Sequence, residues 1–252
     1  AVGAIALLIH NNLKYRKKKA EEREDVLFQS ILTTEDKAET WSLLKSYLAE
    51  KQSEFLEYCL HSYTAGTTGF IQDDVRTLGK LDKELARKKS YLKSVRRKET
   101  LCFQRIDKVT AIERNTWFYL SNNCLMAMLY NLRRINEVCL EHVANNFHPL
   151  PHRFAADFVP IQAHIEEAFS QSIAAIRNRD TEEVMQLRRY CDEIKDQLRQ
   201  ACHQVYDFLQ SGDNERLSVS YVYLNILQES QEMVSSLRKL LRAAHELNHN
   251  PL

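Results

Sequence analysis

Glycine and proline are nearly missing from this chain, with 5 Gly and 4 Pro in 252 residues. Average usage of the two together is about 12%, more than three times as much. A β-sandwich or a doubly wound α/β fold turns too often to be built with so few, and a phosphate loop needs several glycines close together. Apolar residues make up 44% and charged residues 27%. That is too apolar for disorder and too charged for a polytopic membrane protein. The composition predicts an all-α protein with long helices and few breaks.

Apolar spacing and breakers divide the chain into six helical segments. The first covers about 36–64, on Trp41, Leu44, Leu48, Phe55 and Cys59, and is expected to end at Ala65-Gly66-Thr67-Thr68-Gly69. The second, about 70–108, carries a stripe of Leu78, Leu81, Leu85, Lys88, Leu92, Val95, Glu99, Cys102 and Ile106. The third, about 111–147, stops at His148-Pro149-Leu150-Pro151, and the fourth covers about 153–178. Asp180, with Glu183 three residues on, forms an Asp-headed capping box that starts the fifth. Ser211-Gly212-Asp213-Asn214 ends it, and the sixth runs over about 215–247. Short loops make neighbouring helices antiparallel. The Pro-containing break therefore predicts two antiparallel three-helix bundles, 35–148 and 149–252. A short echo, Leu132 to Glu137 against Leu224 to Glu229, places Leu and Glu at the same spacing in the third and sixth helices.

Thirty-five basic and 34 acidic residues balance to +1, so no nucleic-acid partner is expected. The cations are clustered, however. Lys14, Arg16, Lys17, Lys18 and Lys19 form one group, and Arg87, Lys88, Lys89, Lys93, Arg96, Arg97 and Lys98 form another. The first group, with Tyr15 inside it, follows Ala1–Ile9, an uncharged apolar run. Apolar residues, then an aromatic, then lysines is the order at the cytoplasmic end of a transmembrane helix. The run is short of the roughly 20 residues a span needs. It reads either as the end of such a helix, 1–9, with a basic linker over 10–34, or as a short helix packed on the bundle. The second cluster covers most sides of its helix. It is a solvated helix end first, then a candidate contact for anionic lipid or phosphate.

Glu137, Glu141 and His142 on the third helix, and Glu229 and Glu232 on the sixth, are spaced to share a face on each. If the faces meet they present oxygen ligands for a divalent cation. The competing reading is a set of exposed carboxylates partnered by Arg133, Arg134 and Arg238. Glu-x-x-His, the spacing of di-iron bundles, occurs at Glu246 and His249 near the chain end. No nucleophile motif is present, so no enzymatic activity is expected. The six cysteines, Cys59, Cys102, Cys124, Cys139, Cys191 and Cys202, sit in helical patterns without metal spacing and read as buried thiols.

Glu113-Arg-Asn-Thr-Trp-Phe-Tyr-Leu-Ser-Asn-Asn123, Met128 to Glu137 and Glu141-His-Val-Ala-Asn-Asn-Phe-His-Pro-Leu150 form a distinctive block. It resembles the cytosolic C-terminal region of bacterial PiT-type inorganic phosphate transporters, which carry a PhoU-like domain. Tyr223 to Glu229 and Ser235 to Arg242 resemble the closing helix of that region. The resemblance implies a PhoU-like fold of two three-helix bundles. It also implies a non-catalytic regulatory domain on the cytoplasmic side of the inner membrane. The transporter as a whole is a phosphate–cation symporter. The partners implied are its membrane part, the inner membrane surface and a second copy of the chain. PhoU proteins carry a Glu/Asp-x-x-x-Asp metal motif. Glu137 and Glu229 match its second acid, whereas Arg133 and Asn225 stand at the first. A metal cluster is weakened accordingly, and Arg133 is positioned to neutralise Glu137. A stand-alone helical adaptor, binding a partner helix or an anionic membrane face, is the alternative.

Overall fold

The computed structural model describes residues 26–210 and 217–249. Residues 26–33 are helical, and six long helices follow. They are α1 (Lys37–Ile71), α2 (Val75–Phe103), α3 (Lys108–Ala144), α4 (His152–Asn178), α5 (Thr181–Gln210) and α6 (Leu217–Asn248). All regular structure among the described residues is helical. None of these helices is long and apolar enough to cross a membrane. The stub 1–9, the cations Lys14 to Lys19 and the turn with Gly212 lie outside the described residues.

Helix ends explain how the chain manages with so little glycine. α1, α3 and α4 are each followed by a left-handed residue, and these are Asp73, Asn146 and Arg179, with φ of 52°, 52° and 55°. After α4 the amide of Asp180 donates to Ala175 O at 2.9 Å and that of Arg179 to Ile176 O at 3.1 Å. Those are the two bonds of a Schellman motif, usually made by Gly. Asp180 then caps α5, its Oδ1 accepting from the amides of Glu182 and Glu183. Asp74 caps α2 in the same way through the amides of Arg76 and Thr77.

The expected end of α1 at Gly66–Gly69 is therefore corrected: the helix runs through both glycines to Ile71. Their role is close approach. A Cβ at Gly69 would lie 3.2 Å from the Leu78 side chain, and one at Gly66 3.4 Å from Leu81. Missing side chains let α1 and α2 pack tightly where they turn back on each other, which outweighs the helix propensity lost. The other boundaries move by a few residues, and α2 and α3 are separated by a turn at Gln104–Asp107.

Two compact units divide the described residues. One comprises residues up to Leu48 with Arg96–Glu113, and the other Ala49–Val95 with Arg114 and everything after it. In the first, Ile31, Leu44, Tyr47 and Cys102 are fully buried, as is all but 1% of Glu99. The second holds the larger core, where Leu227, Val234, Leu237 and Leu241 of α6 meet Cys191, Ile194 and Leu198 of α5 with Ile165 and Phe169 of α4. All six cysteines are buried free thiols. Burial pushes them up, Cys102 to about 12, with help from the Glu99 charge, and Cys124 to about 11. A thiol so buried is a poor nucleophile.

Candidate functional site

α3 and α6 face each other along a seam that is part apolar and part polar. On α3 the residues Asn131, Asn136 and His142 are buried. On α6 Ser220, Ser230 and Ser236 are buried likewise. A buried polar group costs free energy unless it finds a partner; several of these residues find one, whereas Ser220 Oγ is buried without a hydrogen bond. Tyr63 of α1 meets Ser230 Oγ at 2.9 Å, and Ser230 donates onward to Ile226 O at 2.6 Å. Asn136 donates to Leu78 O at 3.2 Å, tying α3 to α2.

Glu229 is the centre of the charged part. Arg134 holds both of its oxygens, Nε to Oε1 at 2.6 Å and Nη2 to Oε2 at 2.7 Å. Asn131 Nδ2 adds a third donor at 2.8 Å. The Glu229 side chain is 14% exposed and that of Arg134 50%. The hydrogen bond to Glu229 raises the Arg134 pKa further, so this guanidinium stays charged. A bidentate fork of this kind fixes geometry as well as charge. The carboxylate oxygens that a cation would need are already occupied by a cation of the protein itself.

The other predicted ligands are not assembled around it. Glu137, Glu141 and Glu232 are exposed. His142 is buried and donates from Nε2 to His148 O at 2.9 Å, its ring between Phe70 and Phe147. It locks the turn after α3 rather than facing a carboxylate. No three His, Cys, Asp or Glu side chains converge as metal ligands among the described residues. The expected Arg133–Glu137 pair is also absent from the described ion pairs; Arg before Glu is the weaker order for an i, i+4 pair. Arg238 pairs with Asp192 of α5 at 2.8 Å. The residues of the motif positions therefore do not fit a metal cluster.

The basic residues of α2 separate by environment. Arg87, Lys93 and Arg97 are exposed, and Arg96 is half-buried. Lys88 lies 4.5 Å from the ring centres of both Tyr58 and Tyr91, and Lys89 5.0 Å from that of Tyr130. Lys98 stands over Phe28 at 5.4 Å. Lys88, on the apolar stripe, thus sets its ammonium against aromatic faces, a favourable arrangement for a cation.

PhoU of Pseudomonas aeruginosa is similar in structure. The likeness has a TM-score of 0.65 at 10% sequence identity, over 79% of this chain and 92% of that one. The fold is PhoU-like. No family model matches the chain, and no curated protein matches it in sequence. The likeness is thus one of backbone architecture, in which the all-helical plan is kept while nearly every side chain differs.

Sequence reasoning missed two features of this PhoU-like bundle. One is the Tyr63–Ser230 contact, whose only trace is a serine on an apolar helix face. The other is a groove between α4 and α5 lined by Pro160, His164, Gln197, Gln200 and Gln204. Pro160 sits inside α4 and cannot donate the bond that Ala156 O would otherwise accept. His164 Nδ1 and Gln197 Oε1 meet across that groove at 2.8 Å.

Proposed function

We propose that this chain is a non-catalytic regulatory domain attached to an inorganic phosphate transporter of a bacterial inner membrane, on its cytoplasmic side. The supporting observation is the PhoU-like backbone of a chain whose Glu113–Leu150 block resembles PiT transporters. The order of residues 1–19, apolar then basic, supports attachment. In this reading 1–9 is the end of a membrane helix and 10–34 a linker, with bundles at 35–148 and 149–252. The Arg134–Glu229 fork ties α3 to α6. The membrane part of the transporter is the partner.

The test is phosphate uptake by cells carrying the intact gene and by cells in which it is truncated after residue 34. Truncation is expected to leave uptake in place and remove its dependence on external phosphate. Unchanged dependence overturns the regulatory role, and recovery of the intact gene product away from the inner membrane overturns the attachment.

A further inference from the structure

α2 contains ten Lys or Arg and three Asp or Glu, hence +7 in a chain of formal net charge +1. Its outer face is more sharply organised than that total suggests. Arg76, Lys80, Lys83 and Arg87 follow one another at steps of four, three and four, which keeps them on one side of a helix. All four are exposed and belong to one compact unit, that of Ala49–Val95. Tyr91, four residues beyond Arg87, is 42% exposed and continues the row. Asp82 points to another side of the helix, whereas Glu84, four residues after Lys80 and three before Arg87, flanks the row without an ion pair to either among the described residues. Asp74, at the start of the helix, is engaged by the Thr77 hydroxyl at 2.6 Å. Among the described residues no ion pair involves any of the four. Arg87 donates only to a backbone oxygen, Lys83 O.

The row spans about 22 Å of helix at 1.5 Å per residue. A helix face is convex, and a straight convex row of long cations meets a plane better than it wraps a strand. Single-strand binders interleave several stacking aromatics with their cations, whereas this row contains one tyrosine, at its end. Tyrosine beside lysine and arginine suits headgroup depth in a bilayer. The same chain carries Lys14 to Lys19 a few residues after an apolar run, a second juxtaposition of the kind found at an anionic leaflet. We infer that the Arg76–Lys80–Lys83–Arg87 face of α2 docks on the headgroups of an anionic phospholipid bilayer, with Tyr91 at interface depth. This goes beyond the transporter reading and does not depend on it.

The experiment is co-sedimentation of the full chain with phosphatidylcholine vesicles, with and without phosphatidylglycerol, at low salt. The background carries Lys14→Gln, Arg16→Gln, Lys17→Gln, Lys18→Gln and Lys19→Gln, so that the N-terminal cluster cannot mask the effect. That protein is expected to bind only the anionic vesicles. Adding Arg76→Gln, Lys80→Gln, Lys83→Gln and Arg87→Gln is expected to weaken binding roughly fivefold per cation, on the order of several hundredfold in all. Far-UV circular dichroism and the melting temperature are expected to stay the same, and Lys80→Arg with Lys83→Arg to preserve binding. Equal binding with and without the four Gln substitutions overturns the inference. So does equal binding to neutral vesicles, or a loss confined to polyphosphate or RNA retention with vesicle binding intact.

Discussion

α2 and α6 are of similar length and belong to the same PhoU-like fold, but they are used in opposite ways. Half of α6, 16 of its 32 residues, is buried, and its Lys/Arg and Asp/Glu number three each. Only eight of the 29 residues of α2 are buried. α6 is held over most of its circumference, so its sequence is constrained by packing at nearly every turn. α2 buries one stripe, and its remaining faces are free to carry charge. The charge of α2 is therefore a property of an edge helix, and packing alone does not require it. That is why its cations, rather than the buried α3–α6 seam, carry the proposal of a surface partner.

The largest test of the contrast is a pair of truncations. Leu237→Ala in α6, at a fully buried site, is expected to cost about 3–5 kcal/mol in urea unfolding. Leu81→Ala in α2, 5% exposed, is expected to cost about 2–3, because an edge site collapses more readily onto a cavity. Equal losses would break the comparison. Next are the glycines. Gly69→Leu adds atoms beyond a Cβ that would itself lie 3.2 Å from the Leu78 side chain, and is expected to lose about 1–3 kcal/mol. Gly79→Ala on α2 meets nothing within 4 Å and is expected to gain roughly 0.5–1 kcal/mol through the unfolded chain. Opposite signs in these two melts sharpen the contrast between the packed and open sides of α2.

Tyr63→Phe removes one bond of the buried pair with Ser230, which keeps its own bond to Ile226 O. About 1 kcal/mol is expected, measured by the same unfolding curves. The smallest effect is in the acid limb. The Thr77 hydroxyl and amide hold the Asp74 carboxyl below its usual value. The stability it contributes is complete above the unfolded carboxylate pKa, near pH 4, and is lost as pH falls through the lowered folded value. Asp74→Asn should flatten that part of the pH–stability curve and leave neutral pH nearly unchanged.

Long helices were legible because apolar residues recur at three and four over spans of thirty residues. The break at Pro149 was legible because proline cannot donate, and the Asp180 cap because its geometry is local. The end of α1 was not. Gly66 and Gly69 read as punctuation along the chain, yet they serve contacts with Leu81 and Leu78, which the sequence places fifteen and nine positions away. The carboxylates of the candidate site were legible as residue types, and Arg134 was among their expected partners. That it forks onto Glu229, nearly a hundred positions later, depends on how α3 lies against α6. Along the chain the cations of α2 are densest at 87–98. The row from Arg76 to Arg87 emerges only when exposure is known, since its members are spread over three turns.

The sequence by itself determined the class of the protein: all helix, few turns, buried thiols and charge gathered in blocks. Helix periodicity, capping and proline act over a few residues, so a linear string carries them in full. Tertiary structure alone decided which glycines allow close packing, which carboxylate is neutralised, and which cations stay without an ion-pair partner. Those outcomes depend on distances between residues far apart in the chain, and such distances are set by packing.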